Sequence, residues 1–150
     1  MATWNLREPG TYLLLIRLDE AVLLEVGRLG RVAFPAGWYV YIGSALGGIG
    51  ARLRRHARPA KRLHWHVDVV RAAGVLTAIA FRPGPDRREC ETAAIVAGLP
   101  GGTQPAPRFG SSDCRCRSHL VHFAVEPSLR LDPAWLVVPY PGTATAGDEG

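Results

Sequence analysis

Residues 37–56 read GWYVYIGSALGGIGARLRRH, and the fold turns on how this stretch is read. Trp38, Tyr39, Val40, Tyr41 and Ile42 are aromatic or β-branched without a break, which predicts a strand. Gly43, Gly47, Gly48 and Gly50 follow, four glycines in eight residues, and let backbone N–H groups approach a ligand closely. Ile49, Leu53, His56 and Ala57 then recur on one face of a helix. A strand, a glycine-rich turn and a helix N-terminus make a place to hold a phosphate. Arg52, Arg54, Arg55 and Arg58 bring charge beside it. The plainer alternative is a strand-to-helix turn with a solvated basic face. The glycines lack the G-x-G-x-x-G spacing of a dinucleotide turn, and no Lys-Ser/Thr follows as in a P-loop.

The residue types in this stretch carry more than its turn. Tyr41-Ile42-Gly43-Ser44-Ala45 followed by Arg52-x-x-Arg55-His56 resembles the GIY-YIG nuclease family. That family pairs a Gly-x-Tyr strand with a Tyr-x-Gly strand and a helix bearing an essential arginine. Gly10-Thr11-Tyr12 matches the first element, Tyr41-Ile42-Gly43 the second, and Arg52 the arginine. The detail is most similar to its Uri-type or DUF123 branch, in five blocks in order: FPAGWYVYIGSA, RRH, KRLHWHVD, ECE and FGSSDCRCRSHL. The resemblance covers roughly residues 10–124. It implies an α/β fold of the α+β sandwich kind, a small mostly antiparallel sheet flanked by about three helices. It also implies a metal-dependent endonuclease, a hydrolase of phosphodiester bonds. One departure is the 29 positions between Tyr12 and Tyr41, which the branch fills with an extra hairpin. Tyr39 therefore competes with Tyr12 as the first motif tyrosine. Tyr39 and Tyr41 share one strand face by alternation.

At 150 residues and 47% apolar content the chain can bury the core of one domain, expected over residues 1–140. Residues 141–150 are small and polar, and read as a disordered tail. The net charge is +5, and residues 50–72 alone hold seven basic side chains against one acid, Asp68. The rest is therefore close to neutral. A local basic stripe beside a glycine turn favours a polyanionic partner, nucleic acid, with DNA ahead of RNA. Its alternative is a solubilising helix face. No secretion signal and no apolar run near a membrane-spanning length occur, so a cytoplasmic location without membrane attachment is expected. Three cysteines do not make a secreted disulfide framework.

In chain order, strands are predicted at residues 11–18, 21–26, 31–34 and 38–43, as an antiparallel meander with a tight turn at residues 18–20. Helices are predicted on the stretch that carries Ile49, Leu53 and His56, ahead of a basic connection over residues 57–62, and over residues 63–73 and 87–99, the last packing through Ala93, Ala94, Ile95 and Ala97. Further strands are expected at residues 75–81 and 120–125.

On the central helix Arg52 and His56 flank the apolar stripe, Arg54 takes the opposite flank, and Arg55 and Arg58 point outward. Arg52 is thus placed to stabilise charge on a phosphate, and Arg55 and Arg58 to bind backbone phosphates. Lys61, Arg62, His64 and His66 extend the nucleic-acid-binding surface. Tyr12 and Tyr41 are the candidate catalytic tyrosines, with His56 beside them. The resemblance implies one glutamate as ligand for Mg²⁺ or Mn²⁺. Glu91 is favoured over Glu89 because Ala94-Ile95 follow it at the family's spacing. The two lie ~200° apart on a helix, so one site admits only one of them. Cys114-x-Cys116 with His119 three residues on has zinc-ligand chemistry, with Cys90 or His122 as a fourth ligand. Its alternative is structural thiols with a hydrogen-bonded histidine. By helix geometry Cys90 turns away from both glutamates, to pack under the sheet or meet the Cys114–Cys116 loop.

Overall fold

The computed structural model describes residues 8–45, 56, 66–84, 88–109, 118–129 and 135–139. Seven strands are described: β1 Gly10–Leu18, β2 Val22–Glu25, β3 Arg31–Phe34, β4 Gly37–Ala45, β5 Val75–Pro83, β6 Leu120–Phe123 and β7 Leu136–Pro139. Two α-helices are described, α1 His66–Ala73 and α2 Glu89–Ala97. Five strands form one sheet in the order β6-β4-β1-β5-β7, and every pairing in it is antiparallel. The class is therefore α+β, with β1 at the centre.

β1 reads GTYLLLIRL because both its faces are covered. Tyr12, Leu14, Ile16 and Leu18 face one core, and Leu13 and Leu15 face the other. The first core takes Tyr39 and Tyr41 from β4, Val67 and Val70 from α1, and Phe109. The second takes Val40 and Ile42 from β4, with Ala93 and Val96 from α2. Burial of each such Leu, Ile or Val contributes about 1.5–3 kcal/mol. So α1 and α2 lie on opposite faces of the sheet.

The first four strands are not a meander. β1 pairs with β4, from Gly10 opposite Ala45 to Leu18 opposite Gly37. β2 and β3 pair with each other as a separate two-stranded hairpin. A strand buried on both faces needs a long partner of the same kind, and β4 is nine residues long whereas β2 has four. The expected hairpin excursion between the tyrosine strands is thus present, detached from the main sheet. β7 was not anticipated.

In α2, Glu89, Thr92, Ala93 and Val96 are buried, at the i, i+3, i+4, i+7 spacing of a single stripe. Ala94 and Ile95 do not pack as expected: both face outward, and Ile95 is 61% exposed. The predicted central helix lies outside the described residues, His56 excepted.

Candidate functional site

The register of β1 against β4 places Tyr12 opposite Gly43 and Leu14 opposite Tyr41. Both tyrosines therefore stand on the α1 face. Tyr12 Oη lies 2.8 Å from His56 Nε2 in a buried hydrogen bond. The hydroxyl donates when Nε2 carries no proton and accepts when it does. The ring centroids of Tyr12 and His56 are 5.1 Å apart, those of Tyr12 and Tyr41 6.2 Å, and those of Tyr41 and His56 6.5 Å. Three of the four residues singled out as catalytic thus meet at one point.

Gly43 makes room for this group. A Cβ there would stand 2.5 Å from Tyr12 Oη and 2.9 Å from Cε2 of its ring. A strand glycine here marks the close approach of the ring to the backbone. His56 is held from the other side by Arg71, whose Nε donates to the His56 carbonyl at 2.7 Å.

Arg71 is 3% exposed and Asp68 fully buried. Both were counted in the basic stripe read as favouring a polyanionic partner, and for these two that expectation is corrected: α1 turns them into the protein. The signal was present, since Val67, Val70 and Arg71 recur at i, i+3, i+4 and share the buried stripe. His66 does not stand on an open basic surface either. It is half-buried, with its ring 5.3 Å from that of Phe109, and burial lowers its pKa. A histidine that binds its proton less tightly folded than unfolded favours the fold fully above its unfolded pKa of about 6.5. That advantage is lost as pH falls below this value. Thermal melts between pH 7.5 and 5 should therefore show a smaller decline for His66→Gln than for the parent chain, and parallel curves would refute it.

Tyr39 belongs to a different group. Its hydroxyl donates to the Pro35 carbonyl at 2.5 Å, and its ring lies 5.9 Å from Phe34 and 4.9 Å from His122. Burial raises its pKa well above the ordinary phenol value.

On the other face, at the same end of β1, the start of α2 is anchored where the Arg88 N–H donates to Thr11 Oγ1 at 3.3 Å. Thr11 is opposite Ser44, one position along from the Tyr12–Gly43 row, and so points to the α2 side. Glu89 is 9% exposed and faces the sheet. The Glu91 side chain is 64% exposed, with Oε1 3.4 Å from Arg88 Nη1. The two carboxylates thus diverge. Cys90 is exposed rather than packed under the sheet, and its Sγ lies 3.8 Å from His119 Nε2. His119 is 3% exposed. Burial lowers its pKa, Glu89 acts to raise it, and Arg108 to lower it. His122 is committed elsewhere, with Nε2 2.9 Å from the Ala36 carbonyl and Nδ1 3.5 Å from Thr103 Oγ1.

Among the described residues Tyr12, Tyr41 and His56 stand together on the α1 face, and the Cys90–His119 contact lies on the α2 face, with the sheet between them. Arg52, Arg54, Arg55, Arg58, Lys61, Arg62, His64, Cys114 and Cys116 lie outside the described residues. Among the described residues no three His, Cys, Asp or Glu side chains converge as a metal group. No helix among them is long and apolar enough to cross a membrane.

In comparisons with known proteins, no curated protein and no solved structure matches the chain. The family model described as domain of unknown function DUF123 matches residues 11–134. That span holds both groups of side chains and most of the chain, which therefore belongs to the DUF123 family.

Proposed function

We propose that this domain is a GIY-YIG-type endonuclease, a divalent-metal-dependent hydrolase of phosphodiester bonds in nucleic acid, DNA ahead of RNA. The observation that carries the reading is the Tyr12 hydroxyl 2.8 Å from His56 Nε2, with the Tyr41 ring beside both. A phenol with a pKa near 10 is a poor base at neutral pH. An imidazole at hydrogen-bond distance changes that, because it accepts the phenol proton as the phenol takes one from water. In this reading Tyr12 and His56 receive the proton of the attacking water, and Tyr41 shields them from bulk solvent. Arg52, ahead of His56 in the sequence, stabilises the charge that grows on the phosphate. Arg54, Arg55, Arg58, Lys61, Arg62 and His64 hold the nucleic-acid backbone.

A single carboxylate suits Mg²⁺ or Mn²⁺, which keep most of their ligands as water and substrate oxygen. Glu91 fits that role, being open to solvent, whereas Glu89 is packed beside His119. When bound there, the ion would lower the pKa of a coordinated water. Tyr12 and the start of α2 both lie toward the Gly10 end of β1.

Glu91→Gln keeps volume and removes charge, so it should abolish cutting with DNA binding nearly intact. Cleavage assays of Glu91→Gln beside Glu89→Gln decide the ligand: normal cutting by the first and none by the second would move the metal to Glu89.

A second reading is a nucleic-acid-binding module without turnover, favoured by the burial of Tyr12 and His56, at 1% and 0% exposure. Branched, nicked and single-stranded DNA, each with Mg²⁺ and then with chelator, separate the two. Product that appears only with metal favours the nuclease. Binding with no product under any condition favours the module.

A further inference from the structure

We propose that Arg71 is a positioning residue, which aims the His56 imidazole at the Tyr12 hydroxyl by holding the His56 main chain. Its consequence for turnover rests on the nuclease reading, and its geometry does not. Arg71 belongs to α1, and His56 lies 15 residues earlier. The Arg71 Nε donates to the His56 carbonyl at 2.7 Å in a buried bond, and His56 Nε2 meets Tyr12 Oη at 2.8 Å. One residue thus links α1 to β1, its peptide held by the guanidinium and its ring by the phenol.

Two plainer roles account for less. A basic residue in the last turn of a helix ordinarily serves the exposed carbonyls of that helix. Arg71 stands in the last turn of α1, yet its Nε is committed to a carbonyl of another segment. Packing is the other role. Val67 and Val70 share the buried stripe with Arg71, so the core accepts apolar side chains along it. At 3% exposure the guanidinium has lost its water. Well-packed apolar residues in place of buried charges often leave a fold no less stable. Asp68, fully buried and three positions back, puts the opposite charge on the same face and tempers the cost of burial.

An apolar side chain cannot direct a carbonyl. A bond from a charged donor is short and strong, and it fixes the His56 peptide and with it the direction of the side chain. The ring then stands 5.1 Å from that of Tyr12 and 6.5 Å from that of Tyr41. In the proposed reaction Nε2 takes a proton, and a misplacement of ~1 Å in such a group can cost ~10²-fold in rate.

Two variants of similar reach separate direction from bulk. Arg71→Gln keeps an N–H donor near the place of Nε without the charge, and Arg71→Met has no donor. The full chain is isotope-labelled at the histidine ring nitrogens, and the His56 signals are identified by their loss in His56→Gln. The parent chain and Arg71→Gln should show His56 in one fixed tautomer. Arg71→Met should show the averaged shifts of a freely turning imidazole. With Mg²⁺ and nicked DNA, Arg71→Met should cut about 10²-fold more slowly at unchanged DNA affinity, and Arg71→Gln should restore most of the rate. A fixed tautomer in Arg71→Met overturns the proposal, and so does an averaged one in the parent chain or in folded Arg71→Gln. Should Arg71→Met not fold, Arg71→Gln decides by the same signals. If no form of the chain cuts DNA, the nuclease reading falls, and the ring signals still decide the part of Arg71.

Discussion

Gly43→Ala is expected to lower stability markedly for a one-methyl change. The added Cβ falls within 3 Å of the Tyr12 ring and hydroxyl. Tyr12 is 1% exposed, between His56 and Tyr41, and has no free volume to retreat into. Nor can the backbone give way, because β1 is bonded to β4 on one side and β5 on the other. Overpacking of this kind costs about 1–3 kcal/mol, at times more. For a domain of this size that is a drop of about 2–4 °C in melting temperature per kcal/mol. The variant should also lose the Tyr12–His56 bond. Calorimetry of Gly43→Ala, Tyr12→Leu and the double variant isolates the contact. If it is the cause, the methyl costs much less once the ring is gone. The same cost in both backgrounds would place the strain elsewhere.

The largest effect on turnover should come from Tyr12→Phe. The ring, and so the packing over Gly43, is kept, and only the oxygen that meets His56 is removed. Positioned acid–base groups are worth ~10²–10⁴-fold, and a loss of that order is expected with DNA affinity unchanged. Stability should fall by about 1–3 kcal/mol, because a buried imidazole nitrogen loses its partner. Tyr39→Phe is the control: it loses a bond to the Pro35 carbonyl and should leave cutting alone. A Tyr12→Phe enzyme that cuts at the parent rate removes Tyr12 from the chemistry.

Local signals in the sequence were read well. β3 runs from Arg31 to Phe34 as its β-branched and apolar residues imply, and the Tyr39–Tyr41 alternation puts both on one face. The ~200° between Glu89 and Glu91 appears as one buried and one exposed carboxylate. What escaped depended on contacts distant in sequence. Strand pairing was one case, because β2 is nearer to β1 in sequence but β4 matches it in length and two-faced burial. Arg71 was another: its charge suggested water, yet its helix position fixed it against the His56 carbonyl. Ile95 was misjudged, since the orientation of α2 is set by the spacing of Glu89, Thr92, Ala93 and Val96 rather than by which side chains are most apolar.

The central position of β1 also bears on how the chain is made. Its two neighbours are β4, ending at Ala45, and β5, ending at Pro83. β1 precedes both in the chain and therefore waits for its second edge until β5 is made. At about 5–20 residues per second, the interval between Gly10 and Pro83 is ~4–15 s. Throughout it Leu13, Leu14, Leu15 and Ile16 have no complete partner, and a β-prone apolar segment in that state invites pairing with other nascent chains. The detached β2–β3 hairpin forms within this interval, from residues that leave the ribosome directly after β1. Its Val22 and Leu24 pack against the same core as Leu14 and Ile16. A folding unit of that kind gives the early strand one covered face long before its second neighbour exists. The insertion between the two tyrosine strands would then act as a chaperone in cis.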